Sequence, residues 1–496
     1  MNSKKLFGRV AFASLVAVLA VVPVASHLIP TVRAQGAPYH VHLTFARGEG
    51  NERVMHVTWF TTGSAPTEVQ WGTASGSYAE SATGTSAYRS HLGKHVHEAN
   101  LTGLQPNTRY YYRVGSDEGG WSTERTFLSA HDVNTAAAAG SFKFVAYGDT
   151  RTNAADRREV LDAILWEVQN NDVRFVLHDG DIIESNDDLG EWNDWFSDSE
   201  AVASRVPLMT VEGNHDLGGD YWGAQYYNPQ NGPLMGATLR ERDYTYWFVY
   251  ANAFFVNLDY DFDYGNPSGA DYAWLGSVLD HANQLRSQGL VHWIVMLWHS
   301  PPYNSGVSHG EDRTIQDNLC PFIEARGVDV AFNGHDHIWE RQYQLSSPGG
   351  HVVNDDSVIT QDVNEPVPGT VYVVAGGGGA PRVPQFCVLD QQDYSADYAC
   401  ENSYALVTVN LDYQTGQTSL RIQGRDGSHG TLDSGVTLIK TGITAPGPPA
   451  PPETPPWWVG LGVAGAVAGG VGSYYGLRRL KRKLELRRLG VPGAAA

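Results

Sequence analysis

The chain runs to 496 residues, and 54 acidic against 34 basic side chains leave a formal net charge of −20. Such a length is too great for one ordinary domain and predicts two or three. So acidic a chain is ill suited to gripping nucleic acid through phosphate contacts, which excludes that partner and leaves any anionic ligand in need of a local source of positive charge.

Lys4, Lys5 and Arg9 precede an apolar run over residues 10–24, and Val32 with Ala34 offers a small-residue cleavage site. Residues 1–34 therefore read as a secretory signal peptide. An uncleaved anchor is the alternative, although the run is short for a bilayer span of ~20 residues. Residues 35–133 then alternate apolar and polar positions at period two, clearest over 54–60 and 110–114, with turn residues at short intervals. The pattern predicts an all-β sandwich. Within it, residues 101–112 resemble the corner that precedes a late strand in fibronectin type III modules. His91, His95 and His97 read as histidines of a solvated loop rather than a metal cluster.

An alanine-dominated linker, residues 134–140, ends the sandwich. From 141 to 443 the chain changes to short apolar strands over 142–146, 173–177, 254–258, 292–297, 328–332 and 371–375, with helical patterns over 158–169 and 272–286. Alternating units predict an α/β domain, in which ligands collect beyond the carboxyl ends of the strands. Six metal-seeking side chains stand where strand-like runs give way to turns: Asp149, Asp181, Asn214, His299, His335 and His337.

These residue types suit phosphoester hydrolysis, among the slowest reactions in water. Two metals sharing a carboxylate can bind substrate oxygens, activate water and neutralise developing charge. Asp181 is the candidate bridge, and Asn214 supplies a neutral oxygen. His215 beside it is left to contact phosphate or protonate the leaving alcohol. Arg151 could grip phosphate oxygens bidentately or could pair with Asp156 or Glu184. Residues 376–379 are four glycines and predict a tight loop beside the site, and loops 184–200, 220–243 and 261–271 either line a pocket or face solvent.

The ordered series of six resembles the calcineurin-like metallophosphoesterases, and within them the purple acid phosphatases, which also carry an N-terminal fibronectin-like domain. The resemblance spans roughly residues 38–440. It implies a fold in which a central β-sandwich is flanked by helices, with one metal held by Asp149, Asp181 and His337 and the other by Asp181, Asn214, His299 and His335. The ions would be two of Fe, Zn or Mn. His309 resembles the substrate-side histidine of plant members, and Trp339, Glu340 and Arg341 match the family, with an ion pair expected to hold their loop. Two departures stand out. Glu184 replaces the family's tyrosine ligand, which removes the expected charge-transfer colour, and Arg151 stands where purple members have glycine.

Residues 371–441 alternate again and close the catalytic domain with β structure. A proline-rich spacer over 444–456 leads to an uncharged stretch, 457–477, and a basic tail, 478–496. At 1.5 Å per residue the stretch covers a bilayer core, and the basic tail places the large part outside. Cys387 and Cys400 are placed to pair across a loop, while Cys320 reads as a buried free thiol. The expectation is a cell-surface, membrane-anchored phosphomonoesterase acting on a small phosphorylated substrate. Phosphodiesterase or nucleotide hydrolase activity is the alternative, and a non-catalytic binding protein on the same fold the reading from another class.

Overall fold

Residues 39–128 fold into two facing antiparallel sheets, with burial alternating along strands such as Glu68–Gly72 while Val54–Thr61 is buried on both faces. Four strands, Tyr39–Thr44, Val54–Thr61, Lys94–Thr102 and Thr85–Arg89, form one sheet, and five, centred on Glu68–Gly72 and Arg109–Ser116, form the other. The Tyr110 hydroxyl accepts the Gln105 amide at 2.9 Å, a tyrosine corner that fixes the turn into its strand. His97 is not in a loop: it is buried on the strand Lys94–Thr102, between the hydroxyls of Thr61 and Thr67 at 2.8 Å each. His91 bonds the Asp220 carbonyl across to the second domain at 3.1 Å.

In this computed structural model the described residues are 36–133, 140–233, 243–347, 350–352, 357–363, 369–381 and 392–446. The expected signal peptide, the linker residues 134–139, the spacer beyond 446, the span 457–477, the basic tail and Cys387 lie outside them. Among the described residues no helix is long and apolar enough to cross a membrane. Cys400 is disulfide-bonded, and Cys320 is free and buried.

The second domain packs a seven-stranded sheet against an eight-stranded one. The first runs Leu208–Thr210, Val173–His178, Ser141–Tyr147, Ser403–Asp412, Gln417–Asp426, Thr431–Thr441 and Val358–Asp362. In the second, Ala253–Asn257, Trp293–Leu297, Val330–Asn333 and Thr370–Ala375 are mutually parallel neighbours. Phe144, Phe175, Phe255 and Phe332 interlock between the sheets, with ring centroids 5.1–6.2 Å apart. Such a buried aromatic cluster supplies much of the apolar area that holds two sheets face to face.

Helices Ala154–Asn170, Leu189–Ala203, Ala270–Ser287 and Arg313–Glu324 complete the domain. The first begins earlier than expected because Asn153 caps it, accepting from the amides of Ala155 and Asp156. The expected loop 184–200 is in large part the second helix. Asp188 caps it, and Trp192, Trp195 and Phe196 form its buried stripe.

The two domains share one buried boundary. Lys94 Nζ donates to Gln225 Oε1 at 2.6 Å, the Tyr112 hydroxyl to the Ser204 carbonyl at 2.8 Å, and His56 stacks on Tyr227 at 3.9 Å. The sandwich thereby braces the segment that follows Asn214.

Candidate metal centre

Parallel strands deliver their carboxyl ends to one rim. Asp149 follows Ser141–Tyr147, Asp181 follows Val173–His178 and Asn214 follows Leu208–Thr210, all from one sheet. His299 follows Trp293–Leu297, and His335 with His337 follows Val330–Asn333, from the other. Backbone bonds tie these loops together: the Asp149 amide donates to Gly180 at 3.0 Å, Thr150 to Asp181 at 3.0 Å, Gly148 to Ala375 at 3.0 Å and Gly334 to His299 at 2.9 Å. Asp149, Asp181 and His335 all adopt positive φ, between 52° and 73°, which costs non-glycine residues energy that only a strongly determined surrounding sustains.

All six candidates meet. His299 Nε2 lies 3.1 Å from Asn214 Oδ1, 3.2 Å from His335 Nδ1 and 3.3 Å from Asp181 Oδ1. His337 Nε2 is 3.7 Å from Asp149 Oδ1. Hydrogen bonds behind the rings set their tautomers: His299 Nδ1 donates to the Asp179 carbonyl at 2.8 Å and His337 Nδ1 to the Pro381 carbonyl at 3.0 Å. Each Nε2 lone pair is thereby turned into the site.

The charge balance calls for a cation. Burial disfavours a charged imidazole at His299, yet Asp181, Asp149 and Asp179 push its pKa up to about 10. Burial would raise Asp181, but His299, His215 and Arg151 hold it well below the ordinary carboxylate value. Burial, with Arg151 nearby, lowers His337 to about 4. Asp149 Oδ1 and both oxygens of Asp179 are buried with no hydrogen-bond partner. Buried carboxylate oxygens left so are costly unless a cation meets them. Convergent lone pairs, orphaned oxygens and a mixed N/O donor set all fit bound metal ions.

Asp179 is the member that sequence reasoning passed over. Its oxygens come within 4.8 Å of ligand atoms of Asp149 and His299, and a Cβ on Gly148 or Gly334 would collide with its carboxylate. Its adjacency to Gly180 and Asp181 was the available signal.

Around this core, His215 donates its amide to Asp181 Oδ1 at 2.9 Å, and its Nδ1 donates to the Glu184 carbonyl at 2.8 Å. Arg151 pairs with Glu184 and reaches Asp181 Oδ2 at 3.4 Å. Asp156 instead receives the Asn153 amide group at 2.8 Å. His309 lies over the site, its ring centroid 3.9 Å from that of His335. The four glycines are needed for close approach: side chains on Gly376 and Gly378 would strike the carbonyls of Asp336 and Gly148. Their loop is tied to the Asp149 turn, since the Gly378 amide donates to Gly148 at 2.8 Å and Ala380 to Asp149 at 2.7 Å.

The ion pair expected at this segment runs from Arg341 to Asp433, while Glu340 bonds to the loop after His299. Adjacent residues on a strand point to opposite faces. Glu340 accepts from the Ser305 amide and hydroxyl at 2.8 and 2.6 Å, and Arg341 pairs with Asp433 at 2.6 Å.

Comparison with known proteins agrees with this geometry. Residues 142–339 match the calcineurin-like phosphoesterase family, and residues 38–129 match the N-terminal domain of purple acid phosphatases. Residues 142–339 are therefore a calcineurin-like phosphoesterase domain, the chain is similar to purple acid phosphatases, and it is a metal-dependent phosphoric ester hydrolase. It is 25% identical over 435 residues to a phosphoenolpyruvate phosphatase of Allium cepa, covering 83% of this chain and 84% of the relative. Identity is 24% over 441 residues to an acid phosphatase type 7 of Danio rerio, with coverages of 81% and 91%. The structure of a purple acid phosphatase from yellow lupin seeds superposes with a TM-score of 0.68 at 19% identity, covering 82% of this chain and 75% of that one.

Proposed function

We propose that the chain is a membrane-tethered, outward-facing phosphomonoesterase with a dinuclear centre. The observation that supports it most is the convergence of Asp181, Asn214 and His335 on His299 Nε2, beside Asp149 and His337. Asp149, Asp181 and His337 would hold one ion, and Asp181, Asn214, His299 and His335 the other, with Fe, Zn or Mn as the candidates. When bound, such a pair supplies Lewis acidity toward phosphoryl oxygens and activation of water.

The chain's own residues do the rest. Arg151, held by Glu184 at the mouth of the site, presents a guanidinium to the phosphoryl oxygens. His215, fixed through its amide and Nδ1, keeps Nε2 for the substrate, and His309 approaches from the opposite loop. Water adds to phosphorus as its bond to the leaving oxygen breaks; His215 or His309, as the imidazolium, passes its Nε2 proton to that oxygen and regains one from the water, so that a neutral alcohol and inorganic phosphate leave. Similarity to the phosphoenolpyruvate phosphatase of Allium cepa and the acid phosphatase type 7 of Danio rerio supports a monoester substrate. The uncharged stretch 457–477 followed by a basic tail supports the tether.

Turnover of an aryl phosphate by the full chain, abolished by a chelator and restored by Fe, Zn or Mn, is the expected result. No metal-dependent turnover with any of them would sink the proposal, and preference for a diester would move it to the phosphodiesterase alternative. Protease protection in sealed vesicles checks orientation, with only residues after 477 expected on the cytoplasmic side.

A further inference from the structure

Asp336 sits between the candidate ligands His335 and His337, and its carboxylate bonds into the loop that follows His299. Only 2% of the side chain is exposed, and Oδ1 accepts the His309 Nδ1 proton at 2.7 Å. Oδ2 accepts from the Asn304 side-chain amide, whose own Oδ1 receives the Gly306 amide at 2.8 Å. A side chain at Gly306 would run into the same carboxylate. The loop is pinned again where Asn304 donates its amide to the Tyr394 hydroxyl at 3.1 Å and that hydroxyl donates to Glu311 at 2.7 Å. Between these pins the loop carries His309, whose side chain keeps 39% exposure.

We propose that Asp336 is a positioning residue: it fixes the orientation of the His309 ring over the centre, so that Nε2 rather than Nδ1 meets the leaving oxygen of the phosphoester. The geometry leaves one choice of nitrogen. Nδ1 is committed to a buried carboxylate and the ring face is laid against His335, so Nε2 is the edge open to a substrate. Nδ1–H stays on the carboxylate throughout, the proton that passes to the leaving oxygen is the Nε2–H of the imidazolium, and the neutral ring left behind has its lone pair on Nε2; the ring loses that direction when the carboxylate goes. The same side chain therefore couples the loop that presents ligands to the loop that presents His309. This role rests on the phosphoester hydrolysis proposed above.

The test compares the full chain with His309→Ala, Asp336→Asn and the double variant on two substrates, 4-nitrophenyl phosphate and an alkyl monophosphate such as glycerol 2-phosphate. An aryl leaving group needs little help from an acid, whereas an alkoxide needs a great deal. Each single variant is expected to lose about 10²-fold in kcat on the alkyl ester and only about threefold on the aryl ester. The double variant should fall no further than His309→Ala, with KM and metal content unchanged. Equal losses on both esters for Asp336→Asn, or losses that multiply in the double variant, would overturn the role. Because His309 is partly exposed, His309→Ala remains informative even where Asp336→Asn sheds metal: an unchanged ratio of alkyl to aryl turnover in that variant also overturns it. A wild-type chain that hydrolyses neither ester defeats the phosphatase reading and this role together, while an active chain with a flat response defeats this role alone.

Discussion

Arg151 Nε lies 3.4 Å from Asp181 Oδ2, while Nη2 of the same guanidinium lies 3.3 Å from His337 Nε2. A fixed positive charge thus stands at the candidate bridging carboxylate. Burial works against it, but Asp181, Glu184 and Asp149 raise its pKa further. Arg151→Ala should lower kcat/KM by roughly 10- to 150-fold, the worth of a charge-assisted contact of about 1.5–3 kcal/mol. Steady-state kinetics on an aryl phosphate check it; a value within twofold of wild type would mean that the pair with Glu184 is only structural.

Asp216 braces the loops that carry Asp181 and Asn214. Its carboxylate accepts from the amides of Gly213 at 2.9 Å, Ile182 at 3.0 Å and Ile183 at 3.3 Å. An outer residue that fixes ligand loops commonly governs metal affinity by 10- to 100-fold (roughly). Asp216→Asn should therefore release metal more readily on dialysis against a chelator, measured by elemental analysis, while the circular dichroism spectrum stays unchanged.

Two glycines should respond to alanine with opposite signs. At Gly376 the new methyl would strike the Asp336 carbonyl and crowd Asp149 Oδ2, so Gly376→Ala should cost about 1–3 kcal/mol and lower Tm. At Gly276, inside helix Ala270–Ser287, the methyl would meet only the Phe322 ring at an ordinary 3.5 Å. Gly276→Ala should stabilise by up to about 1 kcal/mol through helix propensity. Thermal denaturation of the two variants side by side decides it.

Short runs that are apolar apart from Lys143 and Arg174 made the parallel strands legible: 142–146 and 173–177 lie within Ser141–Tyr147 and Val173–His178. Strands covered on both faces leave mostly apolar runs of this kind. The helix Leu189–Ala203 was also written in its capping Asp188 and its aromatic stripe, but the acidic residues around them resemble a loop. His97 and Asp179 were harder. Sequence shows a histidine and an aspartate, and only tertiary packing determines that one is clamped between two threonines while the other lies beneath Gly148 and Gly334. The partners of Glu340 and Arg341, Ser305 and Asp433, are distant in the chain, and no local pattern names them.

Acid should loosen the N-terminal sandwich through two histidines buried in the neutral form. His56 is stacked on Tyr227 with Nδ1 facing Asn100 Oδ1 at 2.9 Å, and His97 is enclosed by Thr61, Thr67 and Trp59. Burial lowers each pKa from 6.5 to about 4. Below 6.5 the unfolded chain takes up these protons and the folded chain does not, so stability is full above pH 6.5 and is withdrawn as pH falls toward 4. Each residue can account for up to roughly 3 kcal/mol by the lower end of that window. The measurement is Tm against pH for wild type and for His56→Gln, His97→Gln and the double variant. The wild-type curve should fall more steeply between pH 6.5 and 4 than that of the double variant, while above pH 6.5 both should be level. Parallel curves across the acid window would show that these imidazoles accept protons in the folded state as readily as in the unfolded one.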